Sequence, residues 1–197
     1  YRKIVEGFAL AIEARDRLTH GHSRRVAVLA RLTAQQMGLD EAMVKNIFHA
    51  GILHDIGKIG TRDAVLERLG HLTPKEMEQI RQHPVLGADI LVPLTFFSEI
   101  APMIRHHHER FDGSGYPDGI KGGQIPLGAR ILAVCDVFET MIAGRPGIPP
   151  KDLPSAIFEL KHGVGILFDP AVVQAFFAMI QAHPRAMEIH ESIDDVL

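Results

Sequence analysis

The sequence predicts an all-α fold, a compact multi-helix bundle of about eight or nine helices in a single domain. Three observations carry this expectation. Apolar residues recur at helical spacing along most of the 197 residues. No segment sustains the alternation of a half-buried strand, and helix-start signals recur between the apolar runs. Hydrophobic residues make up 46% of the chain, enough for a sizeable core.

The elements follow in order. A first helix is predicted over residues 4–15. A second follows the Thr19-His20-Gly21 break, carries Val26, Leu29, Ala30 and Met37 on its apolar side, and stops at Gly38. Asp40 is an N-cap for a third, running through Val44, Ile47, Phe48 and Ile52 toward Gly57. Thr73-Pro74-Lys75-Glu76 has the form of a capping box and opens a helix over residues 74–81. Pro84 opens the next, to about Val92, and residues 99–108 form another. Residues 109–124 are rich in Gly, Asp and Pro and read as an ordered loop. Pro126 starts a helix through Ile131, Val134, Val137 and Met141; residues 145–150 are a break; Asp152 and Asp169-Pro170 open the last two helices.

Composition narrows the function. The net charge of -3 lacks the basic excess that long nucleic acid requires, while a small phosphorylated ligand needs only local positive charge. The one cysteine, Cys135, precludes an internal disulfide and fits a reducing compartment, so a cytoplasmic location is expected. No apolar run approaches the roughly 18 residues of a membrane span, and none resembles a signal peptide. The start at Tyr1 reads as a cut from a longer chain, with residues 1–15 connecting to an upstream domain and 171–197 forming a C-terminal helix and tail.

Twelve histidines draw attention to chemistry. His54-Asp55 closes an apolar helix, where a polar doublet is costly to bury unless paired or coordinated. Neighbours on a helix point about 100° apart, so the doublet can approach an ion from two directions. Alone, such a doublet is more often a solvent-facing His and a C-terminal salt bridge. His106-His107-His108-Glu109 leads into a Gly-rich loop, and imidazole is the usual ligand of transition metals, although a surface histidine run has the same form. In that loop Arg110 can pair with phosphate, and Tyr116 offers a stacking face and a hydroxyl. His22, His83 and Asp136 complete the set. Asp136 lies within the apolar stretch Ala133-Val134-Cys135-Asp136-Val137-Phe138 and needs a partner, and each of the three also fits a hydrogen-bonded core or cap residue.

In this order and spacing these residues resemble the HD-GYP family, a branch of the HD phosphohydrolase superfamily. The resemblance spans residues 7–170 and rests on Gly21-His22-Ser23, His54-Asp55-Ile56-Gly57-Lys58, His83-Pro84, His107-His108-Glu109 through Gly115-Tyr116-Pro117, Ile125-Pro126-Leu127, Ala129-Arg130-Ile131 and Asp136-Val137-Phe138. It implies an HD-domain bundle with a two- or three-metal centre, often iron, with manganese, nickel or zinc as alternatives. It implies hydrolysis of cyclic di-GMP to linear pGpG, in some members onward to GMP, by a metal-bridging hydroxide. Carried over by position, the ligands are His22, His54, Asp55, His83, His107, His108 and Asp136. Asp55 bridges two ions, and Lys58 joins it as the second catalytic residue. Arg110, Asp112, Tyr116, Lys121 and Arg145 are the implied or candidate substrate contacts; His106 lies outside the matched pair.

Two departures matter. Many relatives continue with Asp-Ala-Leu-Thr-Ser and then Arg-Pro-Tyr-Lys, whereas this chain reads Glu139-Thr140-Met141-Ile142-Ala143-Gly144, then Arg145-Pro146-Gly147-Ile148. The Lys associated with substrate phosphate is therefore Ile148 here, and Lys121 or Lys151 would have to compensate. Three-metal members use a carboxylate four residues before the first ligand histidine; that position is Leu18, so two ions are expected, with Asp16 and Glu13 as the nearby carboxylates. Alternatives to cyclic di-GMP hydrolysis are a non-catalytic module that senses a cyclic dinucleotide or docks a partner, and a phosphohydrolase of another cyclic dinucleotide. An upstream regulatory domain and a homodimer are the implied partners.

Overall fold

The computed structural model describes residues 2–15, 21–66, 68, 72–145 and 148–184. These residues form α-helices and short 3-10 turns, with two isolated β-bridges and no strand among them. Ten α-helical segments follow one another: α1 (Arg2–Arg15), α2 (His22–Gln36), α3 (Glu41–Leu53), α4 (Asp63–Leu66), α5 (Pro74–Arg81), α6 (His83–Leu91), α7 (Ala101–Arg105), α8 (Leu127–Ala143), α9 (Leu153–His162) and α10 (Pro170–Ala182). With α4 only a single turn, this is the all-α bundle the periodicity predicts.

The predicted caps hold. Asp40 accepts from Met43 N at 2.9 Å, Asp152 from Ser155 N at 2.8 Å and Asp169 from Ala171 N at 2.8 Å, each satisfying a helix-start donor with no intrahelical acceptor. Thr73 and Glu76 close a reciprocal capping box at the start of α5. Gly38 ends α2 with a positive φ of 73°.

α8 is the spine. It packs against α2, α3, α7, α9 and α10, and buries Ile131, Leu132, Val134 and Phe138. α2 and α3 lie so close that a Cβ added at Gly51 would come within 2.6 Å of Ala27 Cα. Among the described residues no helix is long and apolar enough to cross a membrane.

Two boundaries and one additional helix differ from expectation. α3 ends at Leu53 rather than near Gly57, because Asp55 leaves helical geometry (φ -94°, ψ 6°) and Ile56–Gly60 tightens into a 3-10 turn. The helix expected over 99–108 is only Ala101–Arg105: Pro102 sits in its first turn, and the histidines follow it in a turn. α4 was not anticipated, since one turn is too short to show periodicity. Of the proposed C-terminal tail, residues 185–197 lie outside the described residues.

Gly57 ties the turn after α3 to the start of α6. A Cβ there would sit 1.9 Å from the His83 carbonyl oxygen and 2.6 Å from Gly87 N, both backbone atoms that cannot swing aside. Gly57→Ala is therefore expected to destabilise the chain by about 1–3 kcal/mol or more, read as a lower urea midpoint. A midpoint equal to wild type would show that the two segments are not held this closely.

Candidate metal centre

The seven residues matched as ligands come from five places in the chain and meet at one. His54 and Asp55 follow α3, His83 joins α5 to α6, His107 and His108 follow α7, His22 opens α2, and Asp136 sits mid-way along α8. Six are buried and His108 is partly exposed. Their ligand atoms fall into three overlapping groups, each within 4.8 Å: His22, His54 and Asp136; His54, Asp55 and His107; His83, His107 and His108. Asp55 faces two ways, with Oδ2 3.4 Å from His54 Nε2 and Oδ1 3.4 Å from His83 Nε2.

Hydrogen bonds fix which nitrogen of each ring points inward. His54 Nδ1 donates to the Gly51 carbonyl at 2.8 Å, His83 Nδ1 to Ile80 at 2.7 Å and His107 Nδ1 to Ile104 at 2.6 Å. Each acceptor lies three residues back, in the last turn of a helix where carbonyls lack intrahelical donors. With the proton on Nδ1, Nε2 carries a lone pair. His83 Nε2 and His107 Nε2 then face each other at 3.3 Å with no proton between them. His22 Nε2 is buried without a hydrogen-bond partner, although Asp136 Oδ1 is 3.2 Å away. Lone pairs and carboxylates converging in a buried site repel one another unless a cation stands among them, so the donor set fits divalent metal ions.

The protonation states agree. Burial pushes the His107 imidazole well below its ordinary value, helped by the neighbouring His108, His54 and His83, and brings His108 down to about 4. Burial lowers His83 as well. Burial alone would raise Asp55, but Lys58, 2.7 Å away, and the surrounding histidines hold it well below the carboxylate range. Asp136 likewise stays low against burial through its contact with His22. His22 goes the other way: burial lowers it, but Asp136 and Glu139 outweigh that and raise it to about 9.

The rim holds the remaining candidates. Lys58 pairs with Asp55. Arg145 donates to Thr140 Oγ1 at 2.8 Å and lies 3.9 Å from Asp136. The Tyr116 ring is 5.0 Å from that of His108, and the Arg81 guanidinium lies 5.4 Å from its centroid. Arg110, Asp112 and Lys121 are exposed on the loop. The Asp112 carboxylate accepts from Ser114 N at 2.8 Å, and Lys121 packs beside Gly113. Glu109 ties the loop together by accepting from Asp118 N and Gly119 N. His106 stands apart from the main cluster, beside Asp118, whose carboxylate Arg105 already holds in two contacts of 2.8 and 2.9 Å. The Glu13 side chain, Asp16, Leu18 and Gly147 lie outside the described residues.

Sequence reading missed Glu139, Arg25 and Arg81. Glu139 had the same signal as Asp136, a carboxylate on an apolar helix, one turn further on.

Metal-free stability is expected to peak near pH 6.5. His83, His107 and His108 have lowered values, so below about 6.5 the unfolded chain binds more protons and stability falls toward pH 4. His22 has a raised value, so its contribution is complete below 6.5 and is lost as pH rises through about 9. Urea unfolding of chelator-treated protein at pH 5, 6.5 and 9 checks this; a flat profile would contradict it.

The family profile described as HD domain matches residues 8–172. A cyclic di-GMP phosphodiesterase of Thermotoga maritima is 42% identical over 182 residues, covering 90% of this chain and 49% of that protein. The 3'3'-cGAMP-specific phosphodiesterase 3 of Vibrio cholerae is 35% identical over 167 residues, covering 85% of this chain and 36% of that protein. The crystal structure of a cyclic GMP-AMP-specific phosphodiesterase of V. cholerae superposes with a TM-score of 0.73 at 22% identity, over 97% of this chain and 51% of that one. The chain thus spans about half or less of the length of these relatives.

Proposed function

The chain belongs to the HD domain family, and from its buried His/Asp cluster we propose that it is a metal-dependent phosphodiesterase that hydrolyses cyclic di-GMP to linear pGpG. The observation that carries this reading is the pair of unprotonated imidazole nitrogens facing each other at 3.3 Å beside a buried carboxylate. The relative from T. maritima that bears this activity in its name supports the substrate.

His22, His54 and Asp136 would hold one ion and His83, His107 and His108 a second, with Asp55 shared between them; iron is the first choice, with manganese, nickel and zinc as alternatives. Such ions supply Lewis acidity toward water and toward phosphoryl oxygens. The chain supplies the rest. Lys58 keeps Asp55 ionised and sets an ammonium beside it, where charge on a phosphoryl oxygen would be stabilised. Arg145 offers a guanidinium near Asp136 for a substrate phosphate. Tyr116 walls the mouth beside His108. Arg110, Asp112 and Lys121, further out on the loop, would touch the substrate only at its periphery. In this reading the domain works in the cytoplasm, under a regulatory domain in the remainder of a longer protein, and α1, with Ile4 and Leu10 exposed, is available for dimerisation.

A second reading, hydrolysis of a mixed cyclic dinucleotide, is favoured by Ile148. It is 62% exposed where the HD-GYP pattern has a phosphate-associated Lys, and a cGAMP-specific relative is 35% identical.

Protein reconstituted with iron, manganese or nickel should convert cyclic di-GMP to pGpG, and chelation should stop it reversibly. Asp55→Ala should show no turnover above background. Recovery of intact cyclic di-GMP and 3'3'-cGAMP with every metal would defeat the enzymatic reading in favour of a binding module; turnover of 3'3'-cGAMP alone would select the second.

Lys58→Met is expected to lose about 1.5–3 kcal/mol of charge-assisted interaction, roughly 10- to 150-fold in kcat. Unchanged kcat would remove Lys58 from the chemistry.

A further inference from the structure

His54, His83 and His107 orient their rings in the same way, and His22 does not. Each of the three follows the end of a helix and donates Nδ1–H to a carbonyl of its last turn. His22 is the first residue of α2, as His83 is of α6, but His83 comes straight after the C-cap of α5, whereas no described helix end lies within three residues before His22. The backbone groups left over in a helix's first turn are N–H donors, which cannot accept from an imidazole. The described partner of its Nδ1 is instead a carboxylate from 117 residues away: Glu139 Oε2 on α8. The other oxygen, Oε1, accepts from Arg25 Nε at 2.6 Å, and Arg25 stands three residues after His22 on α2. Glu139 is one turn beyond Asp136, so α8 reaches the His22 ring at both nitrogens, with Asp136 Oδ1 3.2 Å from Nε2.

We infer that Glu139, held by Arg25, is the positioning residue of the His22 arm: it orients the ring with Nε2 toward His54 and Asp136 and adds a negative charge behind it. In the arm of His83, His107 and His108, the described Nδ1 acceptors, those of His83 and His107, are neutral carbonyls. Two groups that look alike as ligand sets therefore differ in how they hold a cation. A carboxylate behind a ligating imidazole raises its basicity, and loss of such a partner typically weakens metal binding by about 10–100-fold. The inference rests on the metal-centre reading above.

Metal-free wild type, Glu139→Gln and Arg25→Met are titrated with manganese(II), with free ion followed by electron paramagnetic resonance and helicity by circular dichroism. Wild type should bind two ions. Glu139→Gln should retain one at wild-type affinity and weaken the other about 10–100-fold. Arg25→Met, which keeps the carboxylate but removes its support, should weaken the same one by less. Two ions bound by Glu139→Gln at unchanged affinity would overturn the inference and leave the metal-centre reading standing. An equal fall at both sites with lost helicity, in both variants, would make the contact part of the fold alone and overturn it too. No binding by wild type would sink the metal-centre reading itself.

Discussion

Imidazole lone pairs brought together in a buried interior are the constraint on which this structure turns. His83 Nε2 and His107 Nε2 face each other at 3.3 Å, and both rings have already committed their protons to backbone carbonyls. A buried polar group without a partner costs stability, and here several are focused on one small volume. The arrangement becomes favourable when positive charge enters. Asp55 lies within 3.4 Å of both His54 and His83, so its carboxylate belongs to both halves of the cluster.

The bundle suits this task because helix ends meet where helix middles cannot. Four of the five histidines follow helix C-termini, and spare carbonyls there orient three of them, His54, His83 and His107; the fifth, His22, opens α2. Only Asp136 comes from a helix middle, and α8 is the helix around which the others pack. Small residues permit the approach. Gly57 lets the turn after α3 touch the start of α6, and Gly51 lets α3 lie against α2. The ring of histidines and carboxylates is therefore set by main-chain packing, which positions groups more rigidly than long side chains would.

Charge is graded across the site. Two carboxylates, Asp136 and Glu139, flank His22, while His83, His107 and His108 stand together as neutral imidazoles. Cations line the rim: Lys58 beside Asp55, Arg145 beside Asp136, and Arg81 over Tyr116. An anionic ligand would thus meet positive charge at the mouth and the buried histidines and carboxylates in the interior.

Much of this was legible in the chain itself. Helical period, the N-caps at Asp40, Thr73, Asp152 and Asp169, and the ordered loop after the histidines all follow from neighbours within a few residues, and short-range sterics and hydrogen bonds decide such features. The candidate ligands could be named through the resemblance to the HD-GYP family; a polar residue in an apolar helix drew attention to His54, Asp55 and Asp136 but left a core or cap role open. Tertiary structure alone decided what those residues do to one another: that His22 is oriented by Glu139 rather than by its own backbone, that Arg81 covers Tyr116, and that Asp112 spends its carboxylate on a turn. The first of these contacts joins residues 117 apart. No local pattern encodes such a distance, because it is set by the packing of α8 against α2, which is fixed only once the whole apolar core has closed.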